Sequence, residues 1–179
     1  CQKREKGLEH QIKMPKIQGP EKLKSDLQLR KDMKSKIPKD YLPMWLRERE
    51  IETRQVEPVD LLKAEKLPPY RSTWMKPTGK LPSDERIHQA LLLYVSDMGL
   101  LGAAVNPHEV NFMSKKFQSA SLDHVMWFHG KVNFNNWILH HMHSPISQNA
   151  RGFSRGSIYT KSGKLVASTA QEGLMRIWD

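Results

Sequence analysis

The chain has 179 residues, with 29 Lys and Arg against 19 Asp and Glu, a formal charge of +10. That length suits one ordinary domain with an appendage, and no stretch reads as the roughly 20 apolar residues of a membrane span. No secretory leader is visible at the N-terminus, and the single cysteine, Cys1, excludes an internal disulfide and suits a reducing compartment, so the chain reads as a soluble intracellular globular protein.

The charge is concentrated in residues 1–50, where 14 Lys and Arg face 8 Asp and Glu. Acids such as Glu5, Glu9, Glu21, Asp26 and Asp32 interrupt the lysines, which is the pattern of a solvated helix face. The interleaved basic and aromatic residues of a nucleic-acid binder are missing, so no nucleic-acid partner is expected. A phosphorylated small molecule fits the same balance.

In chain order, residues 1–14 read as the end of something begun earlier, closed by Pro15 and by Gly19-Pro20. Residues 15–50 read as a charged helical linker, with a helix from Glu21 to about Lys36 that Pro38 ends. The run Tyr41-Leu42-Pro43-Met44-Trp45-Leu46 is an apolar patch expected to pack on the domain behind it. Ile51–Val59 and Tyr70–Lys76 have the β-branched and aromatic content of strands.

Pro82-Ser83-Asp84 then opens a long apolar segment, Ile87 to Val105, with Ser83 as the expected N-cap. Apolar residues cover nearly every face of it, which predicts a buried central helix. Four strand-like runs follow, Ala120–His129, Trp137–His143, Gly152–Thr160 and Lys164–Ile177, separated by Gly130-Lys131, Ser144-Pro145 and Ser162-Gly163. Lys161-Ser162-Gly163 between the last two predicts a hairpin turn. One buried helix followed by an antiparallel meander is an α+β fold, with residues 51–179 forming the domain.

The strings Ser121-Leu122-Asp123-His124-Val125-Met126-Trp127-Phe128-His129 and Ala150-Arg151-Gly152-Phe153 carry a resemblance, as do Gly156-Ser157-Ile158-Tyr159 and Val166 through Arg176. With Tyr94-Val95-Ser96-Asp97 and Leu8-Glu9-His10-Gln11, the chain resembles the acyl-CoA thioesterase II family. The resemblance implies a double-hotdog enzyme, each half a sheet curled around a long helix. This chain would hold the C-terminal hotdog, and residues 1–14 the last strand of the preceding one. It implies hydrolysis of fatty acyl-CoA to free acid and CoA without cofactor or metal, and a second hotdog domain as partner, from the same protein or another copy. It places the catalytic residues at Asp97, Ser121 and Gln171. It also suggests a peroxisomal location, or a cytoplasmic one in a bacterium, although Ile177-Trp178-Asp179 is not an address of the Ser-Lys-Leu type.

Taken physically, Asp97 lies in the most apolar segment, where a carboxylate either finds donors or is penalised by desolvation. Without the resemblance it reads equally as a structural acid bonded to backbone amides. Ser121 alone would be a surface hydroxyl. Gln171 shares a strand face with Ala167 and Thr169, and could equally be a core amide tying strands together. Thioester hydrolysis needs an activated water, which gives Asp97 the expected role of general base, with Ser121 and Gln171 holding that water in line and the Gln171 amide a further candidate donor to the carbonyl oxygen. Backbone amides near Gly99 or Gly102 are candidate oxyanion donors.

The histidines His140, His141 and His143 form a cluster that reads as a solvated strand face rather than a zinc site. His124 and His129 lie within the strings that carry the resemblance, and read as packing residues before a role in shaping the site. Trp127, Phe128 and Trp137 read as core aromatics before acyl-tunnel lining, and Arg151, Arg155 and Lys164 could reach CoA phosphates. Gly152 and Gly156 leave room on one strand face for a helix or a ligand. The competing reading is a non-catalytic acyl-binding or structural hotdog.

Overall fold

The computed structural model describes residues 5–60, 63–110, 112 and 114–178. Cys1, which carried the redox-compartment expectation, lies outside the described residues. Seven antiparallel strands form one sheet: β1 (Ile51–Gln55), β2 (Tyr70–Pro77), β3 (Phe117–Ser121), β4 (Val125–Phe128), β5 (Ile138–Gln148), β6 (Arg151–Thr160) and β7 (Leu165–Ile177). The order is β1-β2-β5-β6-β7, and both β3 and β4 pair with β7. Among the described residues four α-helices accompany it: α1 (Asp26–Asp32), α2 (Leu42–Trp45), α3 (Glu85–Ser96) and α4 (Leu100–Val105).

The expected central helix is two helices. Asp97 caps α3, and Gly99 adopts φ 80°, a left-handed conformation that costs a glycine little, before α4 begins. By length and composition alone, Glu85–Val105 would pass for a membrane span, more apolar than the sequence reading allowed. Here it is broken in the middle and lies against the sheet. His88, Leu92, Val95 and Ser96 are buried at helical spacing, while Ile87, Leu93 and Tyr94 are exposed, so α3 is not buried all round. Asp84, not Ser83, is the N-cap, its carboxylate accepting from the Arg86 amide at 3.0 Å.

Leu92 and Val95 meet Ile51, Met75, Phe134, Ile138, Ile158, Val166 and Ala167 in the core. The opposite face of the sheet is covered as well. Trp74, Leu139 and Tyr159 pack there with Met14, Ile17, Leu23 and Trp137, so the linker lies across the outer face. It is pinned by Trp74 Nε1 donating to Gln18 O at 2.9 Å and by Arg54 donating to the carbonyls of Pro20 and Leu23. Residues 5–14 take no regular secondary structure, but Gln11 bonds to Gly163 O and the Leu165 amide at the β6–β7 turn.

The expected helix Glu21–Lys36 is shorter: a 3-10 turn at Pro20–Lys22, then α1, then another 3-10 turn. Ser25 and Gln28 cap α1 reciprocally. In the apolar patch, Trp45 bonds to Arg30 O, but Tyr41 and Met44 face solvent, so it packs only in part.

Two strand boundaries also differ from expectation. β5 runs on through Ser144-Pro145, tolerated because the register shifts between His143 and Ile146. The turn expected at Lys161-Ser162-Gly163 joins β6 to β7, and β5 and β6 are joined by a turn at Asn149-Ala150, with φ 51° and 56°. Both residues at positive φ is the turn that suits the twist of a two-residue hairpin. Ala150 is strained there. Ala150→Gly is expected to raise unfolding stability by about 0.5–1 kcal/mol in urea titration, relief of strain outweighing the flexibility of glycine.

The second difference lies at Ala120–His129. This run is two strands, β3 and β4, because Leu122–His124 leaves the ladder. Asp123 Oδ1 accepts the Glu172 amide at 2.7 Å, and the Leu122 amide reaches Glu172 O at 2.9 Å, so the break loses no backbone partner at Glu172. This joint in the ladder and the break between α3 and α4 position the site.

Candidate active site

Asp97 stands at the helix break, Ser121 at the end of β3, and Gln171 opposite the joint on β7. Period-two alternation puts Ala167, Thr169 and Gln171 on the core face, and all three are buried. Gln171, 1% exposed, donates from Nε2 both to Asp97 Oδ1 and to Ser121 Oγ, the latter at 2.8 Å. The Ser121 hydroxyl donates in turn to Asp97 Oδ1 at 3.4 Å. The three side chains singled out in the sequence therefore form one closed hydrogen-bonded triangle.

The carboxylate is asymmetric. Oδ1 takes both donors, while Oδ2 accepts no hydrogen bond among the described residues. The Asp97 side chain is 56% exposed in this chain, so the desolvated carboxylate considered from the sequence is not what the fold builds here. Leu93, Tyr94, Leu122 and Val125, close to Asp97 and Ser121 in sequence, are exposed as well. The site thus opens beside an apolar surface.

Of the candidate oxyanion donors, the Gly102 amide is committed to Gly99 O at 3.0 Å. Gly152 and Gly156 serve packing. A side chain at Gly152 would strike Ala104 of α4 and Met175, and one at Gly156 would strike His140 and Thr169.

The histidines divide differently from the sequence expectation. His140 is fully buried, with Nε2 3.3 Å from Thr169 Oγ1, and burial, with smaller contributions from His124 and His141, pushes its pKa down to about 3. It is core, not a solvated face. His141 lies 3.0 Å from Ser72 Oγ and is lowered mainly by burial. His129 meets Ser168 Oγ at 2.8 Å. His124, taken as packing, sits beside the triangle: Nε2 is 2.8 Å from Ser96 Oγ and Nδ1 is 3.9 Å from Asp97 Oδ1. Its place immediately after Ser121-Leu122-Asp123 was the signal available in the sequence.

Trp127 and Phe128 are exposed rather than core, and Trp137 lies under Arg54 on the outer face. Arg151 pairs with Glu172 at 3.4 Å and Arg155 lies over Phe153, so two of the three cations considered for CoA phosphates have partners within the chain.

Known proteins share this chain's family and fold. A family described as acyl-CoA thioesterase matches residues 45–174. Acyl-CoA thioesterase 2 of Haemophilus influenzae is 35% identical over 172 residues, covering 96% of this chain and 60% of that protein. The crystal structure of acyl-CoA thioesterase II TesB2 from Mycobacterium marinum superposes with a TM-score of 0.71 at 28% identity, covering 98% of this chain and 60% of that one. A conserved protein of unknown function with the hotdog fold from Alicyclobacillus acidocaldarius superposes at 0.65, with 14% identity, covering 99% of this chain and 60% of that one. The α+β sheet curled on a helix is thus a hotdog fold, and the chain spans about three fifths of the length of these proteins. With most of its length from Trp45 to Leu174 matched, the chain belongs to the acyl-CoA thioesterase family.

Proposed function

We propose that this chain carries the hydrolytic centre of an acyl-CoA thioesterase, cleaving fatty acyl-CoA to free acid and CoA with a water activated by Asp97. The observation that carries this reading is the asymmetric carboxylate: Oδ1 is fixed by Gln171 and Ser121, and Oδ2, with no partner among the described residues, can take a proton. A general base needs such a fixed orientation with one unoccupied lone pair at the surface. The water oxygen bonds to the thioester carbonyl carbon while one of its protons passes to Asp97. The C–S bond then breaks, and the proton leaves on the thiolate of CoA.

Ser121 is better suited to hold the water than to attack. Its oxygen already accepts from Gln171, and its proton points at Asp97 along a long bond. An acyl-serine would need that hydroxyl freed. Acyl-CoA is the substrate and no cofactor or metal takes part. A second hotdog domain is the partner that covers the exposed apolar residues beside Asp97, in keeping with relatives that are longer than this chain.

The test is release of CoA from medium- and long-chain acyl-CoA, followed with a thiol reagent. Ser121→Ala and Gln171→Ala are each expected to lower kcat by about tenfold to a hundredfold, because positioning contacts act mainly in the transition state. Wild-type turnover that survives both substitutions would remove the triangle from the mechanism. A chain that binds acyl-CoA without turnover, with the second hotdog domain supplied, would support the non-catalytic alternative.

A further inference from the structure

His124 lies in the joint between β3 and β4, and its ring reaches the end of α3. Ser96 there is fully buried, and its hydroxyl proton is committed to Leu93 O at 2.7 Å. A serine has one proton to give. Towards His124 Nε2, 2.8 Å away, Ser96 Oγ therefore acts as acceptor, and Nε2 carries the ring hydrogen. In the neutral ring Nδ1 is then a bare lone pair. It is buried, has no hydrogen-bond partner among the described residues, and faces Asp97 Oδ1 at 3.9 Å. Two acceptors confront each other across that gap.

The ring is held in this pose. His124 is 18% exposed, and the preceding segment is tied to β7 through Glu172 and Asp123. The titratable groups facing it are Asp97 from the end of α3 and His140 from β5, and Asp123 is turned to the Glu172 amide instead. Burial keeps His140 neutral down to about pH 3, so it supplies no competing positive charge.

We propose that His124 is a positioning residue for Asp97: as the Nε2–H tautomer it anchors the end of α3 through Ser96 and turns an unprotonated nitrogen towards the carboxylate, an opposition that is relieved when the carboxylate takes a proton. This rests on Asp97 being the base. While Asp97 is ionised, the lone pair of Nδ1 opposes its charge. As the carboxylate takes the proton of the attacking water, that opposition disappears, so the contact favours the transition state over the ground state. The proton departs on the thiolate when the C–S bond breaks, and the carboxylate is restored. A protonated His124 has the reverse effect. Both ring nitrogens are then donors, Nδ1–H pairs with Asp97, and the base is weakened on the acid side.

Two measurements test this, one of them independent of turnover. Long-range nitrogen–proton spectra of the full chain, with histidine ring nitrogens labelled, are expected to show His124 protonated at Nε2 and bare at Nδ1 when neutral. The opposite tautomer overturns the proposal whether or not the protein hydrolyses anything. The second is the pH profile of kcat. His124→Gln keeps an amide donor for Ser96 and turns a carbonyl oxygen towards Asp97, but cannot take a proton. It should retain most of the wild-type kcat while the acid limb moves to lower pH. His124→Ala should lose about tenfold in kcat with KM little changed, the low end for a preorganised electrostatic contact. An unmoved acid limb in His124→Gln, or an effect confined to KM, overturns it. Should the alanine variant fail to fold, the glutamine variant decides alone. Absence of wild-type turnover with the second hotdog domain supplied counts against hydrolysis itself, and the tautomer then decides the geometry.

Discussion

Asp97→Asn is expected to lower kcat for CoA release by a factor of about 100 or more while leaving the fold intact, since a positioned general base contributes about 10²–10⁴. The substitution is nearly isosteric. The amide oxygen of Asn can still accept from Gln171 and Ser121 in the place of Oδ1, so the triangle keeps its frame. What changes is the other atom, where a basic oxygen becomes an NH₂ that cannot take a proton. The site is half-exposed, so little burial energy is at stake, and urea unfolding midpoints should agree. Substrate affinity is expected to stay near the wild-type value, placing the loss in kcat. Turnover equal to wild type would exclude Asp97 as the base. Attention would then move to Ser121, with an acyl-enzyme sought by burst kinetics.

Much of this arrangement was legible in the sequence, and the failures have specific causes. Alternation along β7 correctly put Gln171 with Ala167 and Thr169, because a strand buried on one face obeys period two. The α3–α4 segment was recognised from its apolar content, which also hid the break at Asp97–Gly99. Where every residue is apolar, periodicity carries no phase, and a lone glycine is a weak signal. β3 and β4 were merged because the interruption at Leu122–His124 is bridged to Glu172 by the Asp123 side chain and the Leu122 amide in place of a regular ladder. Pro145 suggested a strand end where the sheet contains an irregularity. The triangle itself was found only through resemblance, since neither Ser121 nor Gln171 is distinctive alone. His124 was placed near the site by its string but ranked as packing, because its meaning depends on Ser96, 28 residues earlier, and on which ring nitrogen holds the proton.

Acid is expected to weaken the fold through His140. Its pKa is pushed from 6.5 to about 3, chiefly because burial penalises the charged ring. The unfolded chain therefore binds a proton at a pH where the folded chain does not. The neutral ring's stabilising share is complete above about pH 6.5 and is lost steadily as pH falls towards 3, at about 1.4 kcal/mol per pH unit. Carboxylates add their own pH dependence, so the comparison has to be made against His140→Gln. That side chain has similar reach, can still meet Thr169, and does not titrate in this range. Between pH 7.5 and pH 5, wild type should lose about 2 kcal/mol more unfolding free energy than the variant, read from urea titrations at both pH values. Equal losses would mean that the ring finds water or a donor when protonated, and that the interior around it is less dry than its burial indicates. The expected difference would show that the chain tolerates a polar ring in its core only in the neutral form. The gap left by Gly156 gives the ring its place and Thr169 gives it a partner, on the same strand face as Gln171, so the packing that fixes the site amide also keeps this ring out of water.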